Sequence, residues 1–244
     1  MKRYNKFLFI ASIFVLTLSS CKQDINYSSS IFDSMVNNSI DSIDSSEVSI
    51  DQSSDSSIGS SSEELVFEKP VNIYINPSVQ VNNLYVNSLG NEAEHMNDIA
   101  KLMVDQLKAF NFLNVNYNLS YLSLANSVKE SNNLNTDIHF SLHSNAGGGR
   151  GSEIYTIASD DDFAQHIYND YTSQIGDFKK RGVKYTTSLY EIKNVKAKDR
   201  VLLELLFHDN VEEANFIVNN KEKISKILVN SICDYVKKFY FNIY

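Results

Sequence analysis

The order of apolar and polar positions divides the chain into three stretches. After basic residues at Lys2, Arg3 and Lys6, the run Phe7 to Leu18 is apolar apart from Ser12 and Thr17. It falls short of the roughly 20 apolar residues that a spanning helix needs. With its basic front and the small residues behind it, it reads as an export signal. Residues 22–65 hold isolated Ile and Val without a sustained period. From about Val66 the periods become clear. Val71 to Ile75 alternates and is rich in β-formers, which predicts a strand closed by Pro77. Met96, Ile99, Leu102, Met103 and Leu107 recur at helical spacing, which predicts a helix over Glu92 to Phe110 with Asn91 as its N-cap. Further strands are expected at Leu113–Leu119, Asp137–His143, Glu153–Ala158, Val183–Thr186 and Val201–Phe207. Helices are expected at Leu122–Asn133, at Asp160–Ile175 and, in two pieces, at Ala214–Tyr240. Strands alternating with helices predict an α/β fold. We expect a single three-layer αβα domain over residues 66–244, with a mostly parallel twisted sheet, behind a disordered tether.

Composition sharpens the first two stretches. Leu18-Ser19-Ser20-Cys21 resembles a bacterial lipobox, in which the cysteine is lipidated and becomes the new N-terminus. Residues 1–21 are therefore expected to be a lipoprotein signal peptide. A lipid on Cys21 would anchor the chain at the outer face of the cytoplasmic membrane, facing the wall. Residues 22–65 contain 16 Ser, one Lys and nine acidic residues, so their charge is 1 − 9 = −8. Such a segment buries too little apolar surface to offset chain entropy. The remaining residues hold 18 basic and 21 acidic side chains, for −3. A near-neutral domain is not a nucleic-acid binder on charge grounds. We expect it to be a monomer. Cys233, the other cysteine, lies in a helical pattern beside Ile232, Tyr235 and Val236 and is expected to be a buried structural thiol.

Reactive groups in open α/β sheets gather at the carboxyl ends of strands. Five histidines are available: His95, His139, His143, His166 and His208. HExxH, the Walker loop and GxSxG are absent, so a metal site has to be assembled from distant segments. His143 ends a strand and precedes Gly147-Gly148-Gly149-Arg150-Gly151, where four of the eight glycines lie. That loop needs unusual backbone angles or a close approach to a ligand. His139 is on the same strand face roughly 13 Å away at ~3.3 Å per residue, too far to share an ion, and is read as structural. Glu204 sits inside an apolar strand, where a carboxylate is costly unless paired or ligated. Burial raises its pKa, which suits general acid–base work, although a salt bridge to a helix is the alternative. Glu92 and His95, three apart, share a helix face and could meet one ion. His95 could equally be a solvated first-turn residue.

These segments together resemble the zinc-dependent N-acetylmuramoyl-L-alanine amidases of the amidase-3 type. The blocks that carry the resemblance are residues 75–80, Glu92 with 96–100, 137–146, 151–155 and 202–210, in the family's order. The resemblance implies Zn2+ as cofactor and peptidoglycan as partner. It implies that Glu92 and His143 are metal ligands, that Glu204 is the catalytic carboxylate and that Asn145 lies beside the site. One departure stands out. Where many members read Asp-Pro-Gly-His-Gly, this chain reads Asn76-Pro77-Ser78-Val79-Gln80, without the first histidine ligand. Gln80, His95 or His208 could supply the third donor. Imidazole suits zinc better than a neutral amide, which favours His95. Ser78, Gln80, Asn145, Arg150 and His208 are the expected substrate contacts. The alternative expectation is a catalytically weak, peptidoglycan-binding lipoprotein of the same fold.

Overall fold

The computed structural model describes residues 69–118 and 122–241. The expected signal peptide, Cys21 and the Ser-rich tether lie outside these residues. Six strands form one sheet: β1 (Val71–Pro77), β2 (Leu113–Tyr117), β3 (Ile138–Asn145), β4 (Ser152–Thr156), β5 (Lys180–Tyr185) and β6 (Asp199–Phe207). Their order is β2-β1-β3-β6-β4-β5. All neighbours run parallel except β4 and β6, which are antiparallel. The mostly parallel α/β sheet expected from the alternation is present.

The period of two sends each strand's side chains to opposite faces. Ile138, Phe140 and Leu142 of β3 join Ile73 and Ile75 of β1 in the main core. Three helices cover that face: α1 (Glu92–Leu107), α3 (Asp162–Gln174) and α6 (Lys221–Tyr240). From α6 alone, Ile224, Ile227, Leu228, Ile232 and Val236 enter the core, each stabilising by about 1.5–3 kcal/mol. Cys233 is buried with them as a free thiol, and burial pushes its pKa up to about 12. On the other face lie α2 (Leu124–Asn133) and the five-residue α4 (Tyr190–Asn194), which pack on each other. This second face is more polar. Tyr74 stacks on His139 and hydrogen-bonds Glu130 of α2. His139 is fully enclosed between Ser131 Oγ (2.8 Å) and Ser141 Oγ (3.1 Å). Burial depresses its pKa to about 4, so it is a neutral structural imidazole. Helix α5 (Val211–Asn219) follows β6 directly. Among the described residues no helix is long and apolar enough to cross a membrane.

Sequence periods placed most elements within a few residues. Asn91 does cap α1, accepting from Glu94 N at 3.0 Å. Two segments differ. Strand β5 starts at Lys180 rather than Val183, because Gly182 (φ 92°) and a register shift at Ser152/Glu153 break its alternation. Helix α4 has no counterpart among the expectations, being too short to show a period.

Candidate active site

His143 is on β3 in register with Glu204 of β6, and Glu204 is in register with Glu153 of β4. Paired residues on adjacent strands project to the same face, so these three side chains form a row across the sheet. The row lies on the polar face, with His139 and Ser141. A register shift between His143 and Asn145 bends β3 just past the row.

Glu92 reaches the row from the first turn of α1. Its Oε1 lies 2.9 Å from His143 Nδ1, and its Oε2 accepts from Asn83 Nδ2 at 2.6 Å. The Gln80 side-chain amide, on the loop after β1, lies 3.4 Å from the same His143 Nδ1. Asn83 ties the two together, since its Nδ2 also donates to Gln80 Oε1 at 3.0 Å. On the opposite ring edge, His143 Nε2 lies 3.5 Å from Glu191 Oε2 of α4. Burial opposes a charge on His143, but the hydrogen bonds to Glu191 and Glu92 outweigh it and hold its pKa well above the usual imidazole range. Burial likewise opposes charge on Glu92 and Glu191, yet their bonds to His143 keep both carboxyls below the usual carboxylate range.

Glu204 differs from its neighbours. The residue is half-buried, but its Oε2 is enclosed and has no hydrogen-bond partner among the described residues. Burial pushes its pKa up to about 7; the charge of His143 pulls it down, and Glu92, Glu153 and Glu191 push it further up. Glu153, next in the row, is instead saturated. It accepts from Arg181 Nε (2.7 Å), Lys184, Asn145 Nδ2 (2.5 Å) and Tyr155 OH (3.1 Å). Its pKa is lowered despite burial, chiefly by Arg181 and Lys184.

The other expected residues occupy different places. His95 does not meet Glu92 and His143. Its Nε2 is 2.5 Å from the Leu89 carbonyl, and its ring packs on Tyr85. A helix face brought Glu92 and His95 to one end of α1, but Tyr85 and the 89–90 turn hold the imidazole apart from His143. His208 is buried, stacks on Tyr85 and sets its Nδ1 3.0 Å from Ser144 Oγ. Ser78 is buried too; its backbone N–H donates to Leu142 O (2.9 Å) and its Oγ accepts from Gln80 N (3.3 Å), which fixes the start of the Gln80 loop. Asn145 turns its amide to Glu153 rather than to solvent. Arg150 is exposed and faces Glu212 at 3.7 Å. The glycine loop is held from inside the protein: Gly147 and Gly148 N–H both donate to Asp209 Oδ2 at 2.7 Å, and Gly151 N–H to Glu213 at 2.9 Å. Glu191 escaped the sequence reading; its one visible signal is a carboxylate beside Ile192, the latter fully buried in a short segment.

Does this donor set suit a zinc ion? Among the described residues no three His, Cys, Asp or Glu side chains meet closely enough to hold a metal. Counting Gln80 changes the answer. Glu92 Oε1 at 2.9 Å and the Gln80 amide at 3.4 Å from His143 Nδ1 match the ~3.3 Å edge of a tetrahedron with ~2.0 Å arms. A half-turn of the Gln80 amide, which gives up the bond from Asn83 Nδ2 to Oε1, exchanges its nitrogen for its oxygen and presents a lone pair to the ion. One imidazole, one carboxylate and one amide oxygen fit zinc, with the enclosed Glu204 oxygen one strand away.

Comparisons with known proteins bear on the family and the fold. A family profile described as N-acetylmuramoyl-L-alanine amidase matches residues 82–235, more than half of the chain. A search of curated proteins finds no match. Among solved structures, an N-acetylmuramoyl-L-alanine amidase of Nostoc punctiforme is similar at 16% identity and TM-score 0.62, covering 68% of this chain and 97% of that one. The catalytic domain of an N-acetylmuramoyl-L-alanine amidase of Bacillus (Paenibacillus) polymyxa var. colistinus is similar at 21% identity and TM-score 0.62, with 68% and 98% covered. An N-acetylmuramoyl-L-alanine amidase of Clostridium difficile 630 is similar at 19% identity and TM-score 0.60, with 70% and 99% covered. At such identities the structural likenesses speak for the fold.

Proposed function

The chain belongs to the N-acetylmuramoyl-L-alanine amidase family, and from that premise we propose that it hydrolyses the amide joining N-acetylmuramic acid to L-alanine in peptidoglycan, with zinc held by Glu92, His143 and Gln80. The observation that carries this reading is their meeting at His143 Nδ1 beside Glu204, a carboxylate with an enclosed oxygen that has no partner among the described residues. Gln80 takes the place considered above for His95. Zinc bound there supplies a Lewis acid that polarises the scissile carbonyl and lowers the pKa of a water toward ~7.

Glu204 does the proton work. With its pKa near 7, it is divided between base and acid at neutral pH. It removes a proton from the attacking water, whose oxygen bonds to the lactyl carbonyl carbon. As the C–N bond breaks, Glu204 hands that proton to the leaving nitrogen of L-alanine. The products are a muramic acid carboxylate and a peptide with a free amine. Glu153, saturated by Arg181 and Lys184, stays charged and helps keep the Glu204 pKa raised. Arg150 on the exposed glycine loop is offered to substrate, while Ser78, Asn145 and His208 support the site from behind. We place the domain on a lipid anchor at Cys21, at the outer face of the cytoplasmic membrane.

The test is digestion of purified peptidoglycan by the full chain, read by mass spectrometry of muropeptides. Stem peptides with free L-alanine amines and glycan strands without stems are expected, and they should vanish with a chelator. Val79 at the position of the family's histidine favours one other reading, a weak relative that binds peptidoglycan without cutting it. Retained binding with no released stem peptide, zinc being present, would select that reading.

A further inference from the structure

The mechanism above makes no use of Glu191, a buried carboxylate 3.5 Å from His143. Its surroundings are specific. Oε1 accepts from Asn76 Nδ2 at 2.5 Å and from Ser141 Oγ at 2.8 Å. Ser141 Oγ is also 3.1 Å from His139 Nε2, and His139 Nδ1 is 2.8 Å from Ser131 Oγ, so the chain of bonds runs from α4 across β1 and β3 to α2. Oε2 is the oxygen left over, and it faces His143 Nε2.

Glu191 and Glu92 lie against different nitrogens of one ring. The imidazole stands between them, so both cannot bind the cation that Glu92 and Gln80 share. A neutral imidazole that ligates through one nitrogen carries its proton on the other, and the partner of that N–H sets the tautomer and the ring's orientation. We propose that Glu191 is a positioning residue: it holds the proton on His143 Nε2 and so aims the Nδ1 lone pair at the cation shared with Glu92 and Gln80. Asn76 and Ser141 are its anchors, since both donate to Oε1 and leave Oε2 free for the ring. This explains why the face around His143 carries a polar network, and why a five-residue helix without a period of its own packs beside α2 and β6. The inference rests on the zinc reading of the same site.

The experiment uses the full chain labelled with 15N-histidine, with zinc added, and compares the parent with Glu191→Gln. In the parent, His143 should show a protonated Nε2 and a metal-bound Nδ1. Glu191→Gln should fold, bind zinc roughly 10- to 100-fold more weakly by chelator competition, and lose the single-tautomer signal. Glu191→Asp, which keeps the charge, should recover part of the affinity. Binding through Nε2 in the parent, a measurement that needs no variant, would overturn the proposal. So would equal zinc affinity and an unchanged tautomer in Glu191→Gln; either result leaves the amidase reading standing. A parent that binds no zinc would overturn both.

Discussion

At the scale of single residues, the site is a set of charges whose neighbours decide their protonation. Glu204 is the clearest case. Its folded pKa of about 7 lies above its ordinary value of 4.5. An acid raised in this way favours folding only while protonated; that contribution is complete below about pH 4.5 and disappears as pH rises through 7. Without metal, Glu204→Gln should therefore be more stable than the parent at pH 8, by on the order of 2–3 kcal/mol, and the gap should close toward pH 4.5. Denaturant unfolding in the presence of a chelator measures it, and equal gaps at both pH values would contradict the burial argument. The same variant, loaded with zinc, should release no stem peptide. Gln80 and His95 separate just as cleanly. Gln80→Ala should weaken zinc binding roughly tenfold or more, whereas His95→Ala, which loses contacts to Leu89 and Tyr85, should lower stability and leave zinc affinity unchanged in chelator competition. The choice between these two was not legible in the sequence. Helical spacing shows that Glu92 and His95 share a face, but not that Tyr85 folds over one of them. The hold of Asn83 on Gln80 depends on a loop conformation that has no period.

At the scale of elements, the glycine loop shows the limits of reading composition. Four glycines in five positions suggested room for a ligand. The structure gives them internal reasons. A Cβ at Gly149 would lie 2.3 Å from the Phe207 ring, and one at Gly151 would lie 1.9 Å from the Lys179 carbonyl, with φ at +91°. Gly148, at φ +74°, has open space around it. Gly151→Ala should therefore cost about 2–4 kcal/mol, from overpacking plus left-handed strain, whereas Gly148→Ala should cost only about 1–2 kcal/mol. Thermal or denaturant unfolding decides it, and equal losses would mean that the loop is freer than the Gly151 contact implies. The long elements were legible because α1 and α6 each bury one stripe, β3 alternates apolar with polar residues and β6 carries the apolar run Val201–Leu203 and Leu205–Phe207 around Glu204. Helix α4 was not, because a single turn shows no repeat, and with it went Glu191.

At the scale of the whole molecule, the α/β alternation fixed the class of sheet, and the order of the sequence blocks identified the family. What the sequence kept back was the convergence. Residues 80, 92, 143, 191 and 204 meet only because the sheet order places β1, β3 and β6 side by side. The proposed anchor belongs to this scale as well. If Cys21 carries the anchor, Cys21→Ser should move the protein from the membrane to the soluble fraction while the released chain keeps its activity on isolated wall. Membrane retention of that variant would point to a different attachment.

The most direct measurement is anomalous diffraction at the zinc absorption edge from crystals grown with zinc. A single strong peak is expected within bonding distance of Glu92 Oε1, His143 Nδ1 and the Gln80 amide oxygen, facing Glu204. A peak centred on His95 or His208, or none at this rim of the sheet, would contradict the assignment.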